Sequence, residues 1–201
     1  GSDVTGDGTT HATAWQTIQH AVDNITQSAN GDRINVNDEA DASFSSALDL
    51  TTYGTQSVTA PLVIQGYNAT AGDGNAGGID LGDNDIQMFA STGYDHLWVI
   101  DMHVHNAGNS RIIDINDECL ILNCEINNND SSKAGLNIDS RAFVCNNQLY
   151  DISDLGIRLF NGEGQRILYN YFTNSGAETM SCCIQSGSKS NIIEFHIMKI
   201  K

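Results

Sequence analysis

Hydrophobic positions in the second half of the chain recur every 22 or 23 residues. Four nine-residue segments, 98–106, 120–128, 143–151 and 166–174, align without gaps. The alignment has three columns. The first apolar column consists of Val104, Ile126, Leu149 and Phe172, and the second apolar column consists of Ile100, Leu122, Cys145 and Leu168. The third column holds Asn or Asp and consists of Asn106, Asn128, Asp151 and Asn174. A fifth, weaker copy places Ile193 and Ile197 in the apolar columns. This periodicity predicts stacked β-strand coils, because one short coil cannot bury its own apolar side.

Shorter apolar–polar alternations lie between the aligned segments, at 113–115, 136–138 and 157–159. A period of two is typical of strands with one buried face, and stacked coils bring equivalent residues to within ~4.8 Å of one another. Asn and Asp suit the turns between strands, because they tolerate left-handed backbone and can hydrogen-bond along the stack. We therefore predict an all-β, right-handed parallel β-helix with 22–23 residues per coil. α-Solenoids and leucine-rich repeats have other periods and are disfavoured.

An amphipathic helix is predicted near the start of the chain. Trp15, Ile18, Val22 and Ile25 fall on one helical face, and Asn30–Gly31 supplies a stop signal. A helix here would cover the open apolar end of the first coil, as solenoids require.

We predict one domain over residues 1–201. Its cap, 1–31, contains a helix at about 13–29, and stacked coils occupy 32–201. Residues 68–85 have no apolar period and are expected to form a loop. The chain ends in an apolar strand, so we expect an uncapped C-terminal coil. Either a partner subunit covers that coil or the chain is a fragment of a longer protein.

Charge narrows the range of partners. The formal net charge is −16, and residues 1–110 hold 14 acidic side chains but a single basic one, Arg33. This balance argues against nucleic acid and anionic membranes, and it favours a neutral or cationic partner. No apolar run of ~18 residues is present, so no membrane insertion is expected. The five cysteines form no CxxC motif and are expected to be small buried hydrophobes.

Three short segments of the first half carry a resemblance to a known superfamily. Gly6–Thr9, Ala14–Ala21 and Gly31–Val36 resemble the opening of pectate-lyase-like β-helix proteins, and the Asn-rich coils from residue 96 onward are similar to their repeats. The resemblance implies the β-helix fold. It does not specify an activity, because that superfamily includes lyases, hydrolases, esterases, phage tailspikes and other virion proteins, and adhesins.

Outward positions of the stacked strands offer catalytic candidates. Strand parity places Asp114, Asn137 and Arg158 in one outward column. It places Asn116, Asp139 and Phe160 in the next outward column. The resemblance implies that Asp114 and Asp139 would bind calcium and a uronate, with Arg158 as the base of a β-elimination. The structural alternative is that stacking brings these charges together without a function.

Metal ligands are a second group of candidates. His103 and His105 with Glu125 one coil below could hold a transition metal. The acidic turns could bind calcium through oxygen ligands, and their candidate ligands are Asp73, Asn75, Asp80, Asp83 and Asp85. The alternatives are an ordinary polar strand face and solvated turns. We expect no required cofactor, and calcium is the ion that the acidic turns would suit.

Aromatic side chains suggest glycan binding. Tyr150, Phe160, Tyr169 and Tyr171 fall near outward positions of adjacent coils, where rings can stack on sugars. Tyrosine is also common on exposed strands because of its β propensity.

We therefore expect a non-enzymatic structural or adhesion module of a virion or cell surface that binds glycans and associates through its C-terminal coil. The alternative is a polysaccharide lyase or glycoside hydrolase of the pectate-lyase type. Either function places the protein in an extracellular setting or on a virion surface.

Overall fold

The structure is a computed structural model that describes residues 14–37, 42–44, 46–54, 56–74, 76–82, 85–89, 94–108, 110–128, 134–152, 154–160, 162–174, 182–187, 191–194 and 197–200. These residues form one short helix followed by parallel strands that stack as a β-solenoid. The prediction of a parallel β-helix with an N-terminal helix is confirmed.

Helix α1 spans Ile18–Asn24 and is shorter than the predicted 13–29. Its first turn is capped by Thr17, whose hydroxyl accepts from the His20 N–H at 3.2 Å. The helix ends where Ile25 becomes extended, with ψ at 132°. Trp15 and Ile25 still pack against the core, but from outside the helix. No helix of the described residues is long and apolar enough to cross a membrane.

The strands of the described residues form three faces of the solenoid. In chain order they are β1 (Asp32–Asn37), β2 (Ala42–Ser43), β3 (Leu62–Tyr67), β4 (Gly77–Asp80), β5 (Leu97–Ile100), β6 (Met102–His105), β7 (Ile113–Asp117), β8 (Leu120–Leu122), β9 (Glu125–Asn128), β10 (Leu136–Ser140), β11 (Phe143–Cys145), β12 (Gln148–Ile152), β13 (Leu155–Leu159), β14 (Arg166–Leu168), β15 (Tyr171–Asn174), β16 (Cys182–Ser186), β17 (Ile192–Glu194) and β18 (Ile197–Ile200).

Three sheets follow from the pairing of these strands, and every strand-to-strand ladder is parallel. Sheet A has the order β1-β3-β5-β8-β11-β14-β17, and sheet B has the order β2-β4-β6-β9-β12-β15-β18. Sheet C has the order β7-β10-β13-β16.

Strand β4 lies inside residues 68–85, which were predicted to form a loop. That prediction is therefore wrong in part. The strand pairs through its main chain with β6, and its two glycines carry no side chain that could create an apolar period.

The first predicted apolar column is the core of sheet B. Val104, Ile126, Leu149 and Phe172 pair in register and are all fully buried. Because these four side chains point inward, the residues on either side of each one point outward.

The second predicted column is in register but faces outward. Ile100, Leu122, Cys145 and Leu168 are only partly buried, and the inward positions of sheet A lie one residue earlier. Those inward positions are Val99, Ile121, Val144 and Ile167, all at 0% exposure. A left-handed residue at the corner between sheets A and B resets the alternation, so that the residue before the corner faces outward whereas the residue after it faces the core. These corner residues, with φ of 53° to 56°, are Asp101, Asn123, Asn146 and Tyr169.

The fifth copy is also displaced by one residue. Ile193 pairs with Ile167 rather than with Leu168, and Phe172 pairs with Met198 rather than with Ile197. The last coil is longer than the assumed repeat, so a constant spacing misplaces it.

Asparagine ladders form at the corner between sheets A and B. Buried Asn147 accepts from the Cys124 N–H at 2.8 Å through its side-chain oxygen, and its amide donates to Asn170 Oδ1 at 2.9 Å. An exposed ladder runs beside it, in which Asn146 donates to Asn123 at 2.7 Å. Stacked Asn side chains were predicted, but for a different column. In that predicted column, Asn106 and Asp151 do adopt left-handed backbone, with φ of 59° and 53°.

The cysteines are not disulfide-bonded within the described part of the chain. Cys119 and Cys124 are buried, as predicted, and burial raises the pKa of each thiol to about 12. Cys145 and Cys183 are only partly buried.

Candidate functional site

The outward side of sheet B carries aromatic and hydrogen-bonding side chains on adjacent strands. We call this surface the His–Tyr face, and it consists of His103, His105, Glu125, Asn127, Gln148, Tyr150 and Tyr171. Each of these residues flanks a buried position of the first apolar column, so strand alternation directs its side chain outward.

Aromatic rings stack at the N-terminal end of the His–Tyr face. The rings of His103 and His105 lie 4.6 Å apart at an interplanar angle of 27°. Tyr150 comes from a strand two coils further on, and its ring lies 6.5 Å from that of His103 at 26°. The Tyr150 hydroxyl is 3.1 Å from His103 Nε2. The tyrosine side chain therefore reaches across β9, and the three rings form one contiguous stack, in which the two histidine rings face each other.

Polar groups surround these rings. Glu125 and Gln148 are exposed between the histidines and Tyr171. Burial of Tyr150, followed by the charges of Glu125 and Asp151, raises the pKa of its phenol, so the hydroxyl stays protonated at neutral pH. The face thus offers two imidazoles and a phenol ring beside amide and carboxylate groups.

Asp80 closes one edge of the His–Tyr face. Its carboxylate accepts from the Gly82 N–H at 2.9 Å and from Asn106 at 3.0 Å, and His105 Nδ1 lies 3.8 Å away. Burial of Asp80 opposes its ionisation, but these hydrogen bonds and His105 together lower its pKa.

The predicted transition-metal ligands lie close together without converging. His103 pairs with Glu125 in register, as predicted. However, the imidazoles of His103 and His105 are stacked, and a metal binds in the plane of each ring, so stacked rings direct their nitrogens side by side rather than at one ion. Within the described residues, no group of three or more His, Cys, Asp or Glu side chains is arranged to hold a metal.

The predicted calcium ligands are dispersed. Asp73 accepts from the backbone N–H groups of Ala69 and Thr70 at 2.8 and 3.1 Å and thereby closes its own turn. Asp80 lies on the edge of the His–Tyr face. Asp85 has left-handed backbone, and its carbonyl accepts from the Ser110 hydroxyl. Asn75 and Asp83 lie outside the described residues.

The predicted catalytic column is in register but is buried at one end. Asp114 pairs with Asn137, and Asn137 pairs with Arg158. Asp114 is only 1% exposed and accepts from Arg111 at 2.6 Å and from Asn137 at 2.8 Å. Strand alternation with the buried Ile113 and Ile115 directs Asp114 outward, but Arg111 and Asn137 enclose its carboxylate, so it is not accessible.

The remaining catalytic candidates lie apart from Asp114. The Arg158 guanidinium lies 4.8 Å from the centre of the Phe160 ring. Asp139 is partly buried in the neighbouring column, and its backbone carbonyl accepts from the Gln165 side chain. Arg158 is two strands from Asp114, which corresponds to ~10 Å. Asp114 forms its ion pair with Arg111 rather than with Arg158.

The four aromatic candidates fall in three places. Tyr150 and Tyr171 share the His–Tyr face, on adjacent strands. Phe160 follows β13 and is 44% exposed, and Tyr169 occupies the corner between sheets A and B at 55% exposed. The alignment did not single out Asn127 and Gln148 as members of the face, although their positions beside the buried Ile126 and Leu149 could have identified them.

No family model, no curated protein and no solved structure matches this chain.

Proposed function

We propose that this protein is a non-enzymatic adhesion module of a virion or cell surface that binds neutral glycans on the His–Tyr face. The observation that carries this proposal is the stack of the His103, His105 and Tyr150 rings, with the exposed Glu125 and Gln148 beside it. Sugar rings present C–H groups on their faces and hydroxyls at their edges. The outer ring faces of this stack and the ring of Tyr171 offer contacts for the C–H groups, and the polar side chains around them offer partners for the hydroxyls.

Rigidity supports this function. The ligand-facing side chains stand on paired strands, with fully buried residues beneath them, so little ordering is needed when a ligand binds. The net charge of −16 favours a neutral glycan over a uronate polymer, because the protein would repel a polyanion. An extracellular or virion-surface location, kinship with pectate-lyase-like β-helix proteins and association through the C-terminal coil belong to the same proposal.

The enzymatic alternative has less support. A β-elimination at Asp114, Asp139 and Arg158 would need an accessible carboxylate near the base, whereas Asp114 is enclosed by Arg111. We therefore expect no release of reducing ends or unsaturated products from neutral or uronate-containing polymers.

The test is a screen of the whole chain on an array of neutral and acidic glycans, followed by calorimetry with the best ligand. We expect Tyr171→Ala to weaken binding about fivefold, because one ring contact contributes roughly 1 kcal/mol. His105→Ala should also weaken binding.

Exposed aromatic residues elsewhere supply matched controls. Tyr169→Asn and Phe160→Ala remove rings that are at least as exposed but lie off the His–Tyr face, so they should leave the affinity unchanged. A folded protein that binds no neutral glycan would refute the proposal. If the control variants lose as much glycan affinity as Tyr171→Ala does, the binding site does not lie on the His–Tyr face. Repeating the titration with calcium and with a chelator tests whether calcium bound at the acidic turns contributes to glycan binding.

A further inference from the structure

Sheet A has an apolar outward side in the middle of the solenoid. We call this surface the apolar stripe, and it consists of Trp98, Ile100, Leu120, Leu122, Phe143, Cys145 and Leu168. The fully buried Val99, Ile121, Val144 and Ile167 alternate with these residues, so the stripe points away from the core. All seven side chains are partly exposed.

The stripe departs from the usual pattern of a solvent-facing sheet. Outward positions on such sheets are normally polar, as they are on the His–Tyr face. Here two apolar side chains stand side by side on each of β5, β8 and β11, and β14 adds Leu168. Contiguous apolar surface on a soluble protein is often functional, which makes the stripe a candidate interaction site.

Charge on sheet A also differs from the rest of the molecule. The net charge of the chain is −16, yet the outward positions of this sheet carry one acidic residue, Glu194, and two basic ones, Arg33 and Arg166. Two copies of the chain would repel each other through most surfaces. They can approach through sheet A, because this side lacks the acidic excess.

The polar ends of the sheet are arranged symmetrically about β8. Arg33 lies on β1, three strands before β8, and Glu194 lies on β17, three strands after it. If two copies pack face to face with their solenoid axes antiparallel, Arg33 of each copy comes beside Glu194 of the other. A parallel arrangement would instead bring the two Arg33 side chains together.

We propose that the apolar stripe is the interface of a homodimer with antiparallel solenoids, related by a two-fold axis along β8. Leu120 and Leu122 then meet their own counterparts at the axis, and Trp98 packs against Phe143 of the second copy. The interface is isologous, because the same surface serves both copies. It differs from the C-terminal coil end at which the sequence suggested association.

The size of the surface predicts a weak dimer. Seven strands at ~4.8 Å spacing span ~29 Å, and the short strands are ~10 Å long, so the sheet projects about 300 Å². A standard interface buries about 800 Å² on each partner. We therefore expect a dissociation constant in the micromolar range and fast exchange between monomer and dimer.

The first experiment is sedimentation equilibrium of the whole chain from about 1 to about 200 µM, without added glycan. The expected result is a monomer–dimer equilibrium. Leu122→Glu places two carboxylates against each other at the axis and should raise the dissociation constant at least tenfold. Gln148→Glu adds the same charge to the His–Tyr face and should leave the dissociation constant of the dimer unchanged. Circular dichroism and urea unfolding verify that both variants are folded, and Leu122→Gln is a milder second variant.

Charge reversal tests the orientation. Arg33→Glu and Glu194→Arg should each weaken the dimer, and the double variant should recover most of the affinity. A wild-type chain that stays monomeric throughout the concentration range overturns the proposal. A dimer insensitive to Leu122→Glu overturns it as well, because the interface must then lie elsewhere. A double variant no better than the single ones overturns the antiparallel arrangement.

Discussion

Asn147 offers a sharp test of how the coils are held together. Its side chain accepts from the Cys124 N–H at 2.8 Å and donates to the Ile121 carbonyl at 3.1 Å and to Asn170 Oδ1 at 2.9 Å. The residue is 1% exposed, so water does not replace these bonds. Asn147→Ala therefore removes a link between three consecutive coils without changing any strand.

The magnitude follows from the groups that lose partners. The Cys124 N–H is left buried without the acceptor that Asn147 supplied, which costs about 1–3 kcal/mol. Loss of the two donated bonds adds about 1 kcal/mol each. We expect the free energy of unfolding to fall by about 4 kcal/mol, or the melting temperature by about 10 °C, for a domain of this size.

Urea unfolding followed by circular dichroism measures this loss. The matched control is Asn146→Ala, one residue away on the exposed ladder. That variant loses its bond to Asn123 and places Ala at a φ of 56°, so it should cost only about 1–2 kcal/mol. If Asn147→Ala lowers the free energy of unfolding no more than Asn146→Ala does, the buried ladder does not stabilise the stacked coils as we predict.

Three further predictions concern backbone and charge. Gly66→Ala should lower the free energy of unfolding by about 3 kcal/mol, because an added Cβ would lie 1.7 Å from the Asp101 carbonyl oxygen. Tyr169→Asn should raise the melting temperature by a few degrees, because asparagine tolerates a φ of 55° better than tyrosine does. Asp80 has a lowered pKa despite the opposing effect of burial, so its contribution to stability is complete above the ordinary value of 3.8 and is lost as the pH falls through and below it. The urea midpoint of Asp80→Asn should therefore decline less than that of the wild type between pH 6 and pH 3.

Each of these predictions has a comparison that can contradict it. Gly72, unlike Gly66, has a positive φ of 80°, but nothing lies within 4 Å of its added Cβ, so Gly72→Ala should cost only about 1 kcal/mol. Equal costs for the two glycines would show that the Asp101 contact is unimportant. Tyr169→Phe keeps the strained conformation and should not raise the melting temperature. An identical pH profile for Asp80→Asn and the wild type would contradict the role of that carboxylate.

Much of the fold could be predicted from spacing alone. The recurrence of Val104, Ile126, Leu149 and Phe172 defined the coil length and the buried side of sheet B, because a stack in register needs equivalent residues at equivalent positions. The same argument was wrong for the second column, since alternation was carried through a corner that resets it. The candidate site was predicted only in part. His103, Tyr150 and Tyr171 were identified one by one, but their placement on one face depends on the coil register.

The sequence by itself determined the repeat, most strand positions and the inward side of sheet B, because periodicity records which residues must be equivalent. Only the tertiary structure decided how the coils turn and what each outward side chain meets. A single left-handed residue moved the buried column of sheet A by one position, and so exposed the apolar stripe. Tyr150 reaches His103 across 47 residues of sequence, and Arg111 encloses Asp114. Such contacts depend on register and side-chain reach, which a one-dimensional period does not contain.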